Sequence, residues 1–367
     1  MKPFYLALVL FLVVATGAVI SLESASTPIN VGTVTAAVPM LAPRSGHSAT
    51  LLPNGKVLIA GGMRRNHDFY KSAEIYDPAT GKFQPTGDMN LARVGQAAVL
   101  LRSGKVLIAG GWANGATDSA ELYDPGTGKF SQIGKMTSLR GRPSATLLDN
   151  GDVLIAGGAD HDSSGGIASA ELFHTDTLKF EAIGSMHYAR IAHTATLLRD
   201  GRVLIAGGRG EAVNNFAELY DPKTRHFVLT GNLLTARYKH TAGLLPDGRV
   251  LLAGGSDERD WNGTLSSAEI YDPHTGRFTA AASLNDDRFK LPDESALVGS
   301  NELLIAGGSK EVEVYDARTG KFLVVSGQLS GSWHFMSETR LNDGSVLLAG
   351  GYANNDKATA DAWIYRP

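Results

Sequence analysis

One hexapeptide governs what this chain can fold into. Val-Leu-Ile-Ala-Gly-Gly stands at residues 57–62, 106–111, 153–158 and 203–208, and near copies end at Gly255, Gly308 and Gly351. The second glycine therefore recurs after 49, 47, 50, 47, 53 and 43 residues. Self-similarity at such a period marks a repeat architecture, in which one supersecondary unit is copied until neighbouring copies bury a common core.

Each copy has the same internal order. An inner run such as residues 47–52 is followed by a Pro53-Asn54-Gly55 turn, the hexapeptide, a loop of variable length, the segment Ala-Glu-Ile-Tyr-Asp-Pro at 73–78, a Thr80-Gly81-Lys82 turn and an outer strand from Phe83. Asn-Gly, Asp-Gly and Ser-Gly pairs between apolar runs are hairpin signals, because such turns need φ > 0. The 43 glycines agree with many tight turns. Four short antiparallel strands per unit, repeated radially, describe a β-propeller blade.

The pattern resembles the kelch family, whose repeat carries a Gly-Gly doublet, then a Tyr and a large aromatic. Here the doublet occurs seven times, and the Tyr is Tyr76, Tyr123, Tyr220, Tyr271, Tyr315 and Tyr365, with Phe173 in the third repeat. The aromatic is Phe83, Phe130, Phe180, Phe227, Phe278 and Phe322, where the family usually has Trp. The resemblance runs from about residue 31 to 367. It implies an all-β fold, a seven-bladed kelch-type β-propeller with four antiparallel strands per blade. The seventh repeat stops at Tyr365-Arg366-Pro367 and lacks an outer strand, whereas residues 38–40 reproduce the lead-in seen at 87–89, which places Val34 where Phe83 stands. Residues 31–38 are therefore expected to form an N-terminal strand that completes blade seven and hides the edges of the ring.

Residues 4–22 are uncharged and largely apolar behind Met1-Lys2-Pro3. Residues 1–26 are read as a signal peptide or an N-terminal membrane anchor, and 27–367 as a single propeller. Either leader exports the chain to the periplasm, the cell surface or the extracellular space, and it is the expected membrane contact. A formal charge of −3 gives no global pull towards nucleic acid. With no Cys, a disulfide framework, a thiolate metal site and a cysteine nucleophile are excluded.

Turns between strands one and two, and three and four, are short and alike; they build one face. The loops between strands two and three, and between repeats, emerge on the other face and vary. Loops on a rigid scaffold are where binding resides. Their candidates are Arg64, Phe69 and Tyr70 in blade one, Trp112 in blade two, Asp160 and His161 in blade three, and Trp261 in blade five. Aromatics beside charges suit a sugar ring or a peptide. Asp160-His161-Asp162 is read as a solvated loop, because the closing Glu of a calcium loop is missing.

An Arg precedes most inner strands (Arg44, Arg93, Arg140, Arg190, Arg237 and Arg288), with Trp333 in the seventh. A Glu recurs on the third strand (Glu74, Glu121, Glu171, Glu218, Glu269 and Glu313), with Trp363 in the seventh. Both charges vanish in the same repeat, as expected if they pair. His47, His193 and His240 share one repeat position, held elsewhere by Gln96, Pro143, Asp293 and Met336. They are read as satisfied strand-end histidines, because equivalent positions spread round a ring do not converge on one metal.

The kelch resemblance brings copper oxidases of the galactose oxidase type into view, but their cofactor needs a Cys joined to a Tyr. No sialidase repeat, nucleophile elbow, HExxH or Walker sequence is present. The repeat breaks in blades six and seven. There Glu338 and Arg340 replace the Ala and Leu of other inner strands, two residues apart and so on one side, with Lys290, Asp293, Trp333 and His334 nearby. They form an ion pair in the channel that is either a closure device or a functional group. The expected function is a non-catalytic, monomeric module that uses no cofactor or metal and binds a protein or glycan partner on the varied face. Two alternatives remain open. One is a sugar-active enzyme resembling periplasmic sialic-acid mutarotases, with Glu338 as acid or base and Arg340 as anchor; the other is a structural module of a surface assembly.

Overall fold

The computed structural model describes residues 31–161, 165–257, 263–353 and 357–367. Leader residues 1–26 and Trp261 lie outside the described residues, as do residues 162–164 of the blade-three loop.

Seven four-stranded antiparallel sheets follow one another along the chain. Blade one comprises Ser48–Leu51, Val57–Ala60, Ala73–Asp77 and Lys82–Pro85, paired in that order from inner to outer strand. Blades two to six repeat this order, starting from inner strands Ala97–Leu100, Ser144–Leu147, Thr194–Leu197, Thr241–Leu244 and Leu297–Val298. Blade seven takes Ser337–Arg340, Val346–Ala349 and Ala362–Arg366 from the C-terminal end and Thr33–Ala36 from the N-terminal end. Val34 pairs with Tyr365, as Phe83 pairs with Tyr76. The expected closing strand is therefore present and in the expected register.

The hexapeptide reads as a continuous apolar run because its strand is buried on both faces. Val57 and Ile59 pack with Leu347, Ala349 and Ile364 of blade seven. Leu58 and Ala60, pointing the other way, pack with Val106 and Ile108 of blade two. Each second strand thus serves two cores, and truncating one of its residues to Ala costs about 2–5 kcal/mol.

The glycine doublet joins blades. Gly61 and Gly62 have φ of 64° and 90°, and a Cβ on Gly61 would stand 2.7 Å from the Arg93 carbonyl of the next blade. The Gly62 N–H donates to that carbonyl (2.9 Å), and the equivalent bond recurs at every seam, including Gly351 to Arg44 (2.8 Å) between the two chain ends. Closure therefore uses the same contact as the other six seams. The Tyr and Phe of blades one, two, four, five and six meet as tilted ring pairs, with centroids 4.9 Å apart for Tyr76 and Phe83, and Phe173 meets Phe180 likewise in blade three.

Candidate functional site

The Arg and Glu that recur along the sequence meet inside their own blades. Arg44 with Glu74, Arg93 with Glu121, Arg140 with Glu171, Arg190 with Glu218, Arg237 with Glu269 and Arg288 with Glu313 form six buried ion pairs. In blade one, Arg44 also donates to the carbonyls of Gly61 (2.8 Å) and Ser72 (2.9 Å), while Glu74 accepts the Leu41 N–H (2.7 Å). The charges are consumed in tying the loops of a blade together, so they do not form an anion-binding ring. The repeat-position histidines are also internal: His47, His193 and His240 bond through Nε2 to Ser337 Oγ, Ser144 Oγ and Thr194 Oγ1 of the adjacent blade. Burial, reinforced by the neighbouring Arg44 and Arg190, pushes His47 and His193 down to about 3.

Two residues beyond each repeated Arg, and beyond Trp333 in blade seven, the backbone turns left-handed. Gly46 and Gly95 have φ of 60° and 63°, and Arg142, Ala192, Lys239, Lys290 and Phe335 lie between 51° and 55°. Five of these seven donate their N–H to the carbonyl of the preceding one: Gly46 to Phe335, Gly95 to Gly46, Arg142 to Gly95, Lys239 to Ala192 and Phe335 to Lys290. The result is a collar of backbone around the channel. A left-handed non-glycine residue costs roughly 1–2 kcal/mol, so five side chains are retained there against strain.

The collar surrounds a funnel of about 970 Å³ that opens on the varied face. Phe69, Trp112, Tyr238, Phe335 and Tyr352 give its wall an aromatic surface; Arg142, Lys239 and Lys290 add positive charge, and Asp293, Glu294 and Glu338 add carboxyl groups. The Lys290 ammonium donates to Tyr352 Oη (2.8 Å). Trp112 lies flat on Gly141, where any Cβ would stand 2.1 Å from its ring. Glu338 accepts the Ala296 N–H (2.6 Å). Its carboxyl is pushed up to about 8, chiefly by burial, with the Glu294 charge adding to the rise and N–H groups of Ala296 and Ala306 opposing it. Desolvation by the funnel walls also raises Glu294, whose side chain is nonetheless exposed, and it raises Asp293 against the pull of Arg142. Asp293 stays 63% exposed within the funnel walls, so water tempers that rise.

Of the residues singled out from sequence, Phe69, Trp112, His161, Lys290, Asp293 and Glu338 line the funnel. Arg64 and Asp160 are exposed outside its lining. Tyr70 instead covers Arg44, whose guanidinium lies 4.9 Å from its ring. Trp333 packs against Trp363 (6.5 Å), and His334 is buried with Nδ1 3.2 Å from the Phe289 carbonyl. The expected Glu338–Arg340 ion pair does not form. Arg340 is exposed and has no ion-pair partner among the described residues, its long side chain reaching water instead. Asp293 is not the blade-six counterpart of His47; Leu291 fills that position, beside Gly254, as His240 does beside Gly207. Blade six has two extra residues between its Arg and its doublet, 288 to 308 against 44 to 62, and the extra length carries Asp293 and Glu294 into the funnel. Arg142, Lys239 and Phe335 were missed, although the fixed offset of two from Arg140, Arg237 and Trp333 would have found all three.

A family model described as the kelch motif matches residues 43–90, 93–137 and 237–285, within blades one, two and five. No curated protein matches the chain. Among solved structures, the chain is similar to a copper-bound fungal alcohol oxidase of the AA5 family, with a TM-score of 0.73 and 14% identity over 92% of this chain and 77% of that one. At that identity the likeness is one of fold. With the motif matched in three blades and its glycine doublet present in all seven, the chain is a seven-bladed β-propeller that carries kelch motifs.

Proposed function

We propose that the chain is an exported, non-catalytic binding module that takes a glycan or an exposed protein segment into the varied-face funnel. Kelch propellers commonly mediate protein binding. The observation that carries the reading is the funnel itself: a concave site of ligand size whose aromatic wall holds a few charged groups on a rigid collar. Aromatic faces cover apolar ring or side-chain surface, and charged tips fix orientation. The leader reading adds export, with residues 1–26 either removed or kept as an anchor. The test is a thermal-shift screen of a glycan library and an affinity capture, each run with the full chain and with Trp112→Ala. A partner whose binding is lost in Trp112→Ala supports the funnel; a partner insensitive to Trp112→Ala and Phe69→Ala places binding elsewhere.

One observation favours a second reading. A carboxyl held near 8 in a ligand-sized cavity is poised to donate or accept a proton near neutral pH. A sugar-active enzyme would place Glu338 as that acid or base, without Arg340 as its partner. Glu338→Gln would then abolish turnover of a bound sugar while leaving the bound affinity within a fewfold of wild type.

A further inference from the structure

Arg142 crosses the funnel. It belongs to blade three, yet its side chain lies over Gly95 of blade two, where a Cβ would stand 2.7 Å from Arg142 Cγ. Its guanidinium ends 4.1 Å from the ring centroid of Phe335 in blade seven. Asp293 of blade six stands 3.6 Å away, too far for a hydrogen bond. The group is only 20% exposed, and among the described residues this ion contact is its one polar partner. A guanidinium offers five N–H donors in a planar fork that fits a carboxylate through two parallel bonds. The guanidinium carbon sits over the Phe335 ring, a contact that uses none of the N–H donors of the fork. The position is also strained, at φ of 52°, where blades one and two have glycine.

From this geometry we infer that Arg142, seated on Phe335, is the anchor for a carboxylate on the funnel's ligand, and that Asp293 holds the place of that carboxylate until the ligand displaces it. This inference rests on the reading of the funnel as the binding site and adds the chemical class of what enters. Asp293 suits the role because it is exposed and its contact with Arg142 is long. A ligand carboxylate that forms two short bonds replaces one loose ion contact, and the released Asp293 returns to water. The carboxylate can come from a sugar acid or from an acidic peptide side chain, and the two are separated by choice of probe.

The experiment titrates the full chain with D-glucuronate and, separately, N-acetylglutamate α-amide, each against the neutral compound in which its one carboxyl is an amide, and follows Trp fluorescence and the melting midpoint. At least one acid should bind about tenfold more tightly than its amide. Arg142→Gln should remove that preference, and Asp293→Asn should strengthen binding of the acid by removing its competitor. Arg142→Gly serves as the control for folding: Gly46 and Gly95 hold the same backbone, so this variant should melt no lower than wild type while losing the acid. Equal binding of acid and amide, or a preference that survives in Arg142→Gln, overturns the anchor while leaving the funnel as a binding site. If neither acid binds wild type at millimolar concentration, the carboxylate assignment falls, and the glycan and capture screens then decide the funnel on their own.

Discussion

Trp333 and Trp363 stand with ring centroids 6.5 Å apart in blade seven, at the two positions that the other six blades give to a buried Arg and its Glu. An ion pair and an aromatic pair thus occupy equivalent sites in one molecule. Either can fill the space, but half of an ion pair cannot, because a lone buried charge has lost water and gained nothing.

Removing one member of such a pair should therefore be far worse than removing both. Arg190→Ala, which leaves Glu218 in a fully buried site without its guanidinium partner, is expected to cost about 3–5 kcal/mol. In a double-mutant cycle by denaturant unfolding, Arg190→Met with Glu218→Leu should cost less than the sum of the singles. Additive losses would show that the two side chains act independently.

The closing strand should carry stability out of proportion to its length. Deleting residues 31–38 removes the partner of Ala362–Arg366 and the buried Val34 side chain, and leaves an open sheet edge. The melting midpoint by calorimetry should fall by at least about 5 °C. A midpoint unchanged by the deletion would mean that the ring holds without its seam strand.

The buried histidines predict acid sensitivity. His47 and His193 sit at about 3 when folded, against about 6.5 when unfolded. Between those values the unfolded chain binds more protons, so stability is full above 6.5 and declines as pH falls towards 3. His47→Gln copies the residue at 96, whose Nε2 bonds Ser48 Oγ (3.2 Å) in the same manner. That variant should lose a smaller share of its stability than wild type between pH 7 and pH 4; an identical acid slope would contradict the assignment.

Glu338 should act in the opposite sense. Its folded value of about 8 lies above the value of 4.5 expected without burial. The folded state then holds the extra proton, and this contribution is full below 4.5 and lost as pH rises through 8. Glu338→Gln mimics the protonated acid and can still accept the Ala296 N–H. Its midpoint, relative to wild type, should rise steadily from pH 5 to pH 8. A constant offset would place Glu338 in an ordinary solvated environment.

Much of this was legible in sequence because a repeat states the same local answer seven times. The doublet, the hairpin turns and the Tyr and Phe positions determine blade number and strand order, and the lead-in at residues 38–40 places Val34 in the last blade. The shared loss of Arg and Glu in blade seven likewise determines that they pair. These are contacts within a blade or between identical neighbours, set by period and register alone. What faces the axis was decided by tertiary structure. Glu338 and Arg340 lie on one side of one strand, yet one meets Ala296 and the other meets water. Arg142, Phe335 and Asp293 come from blades three, seven and six, and nothing local in their sequences brings them together. Only the closed ring does so, because it turns distant positions of the chain into facing walls of one cavity.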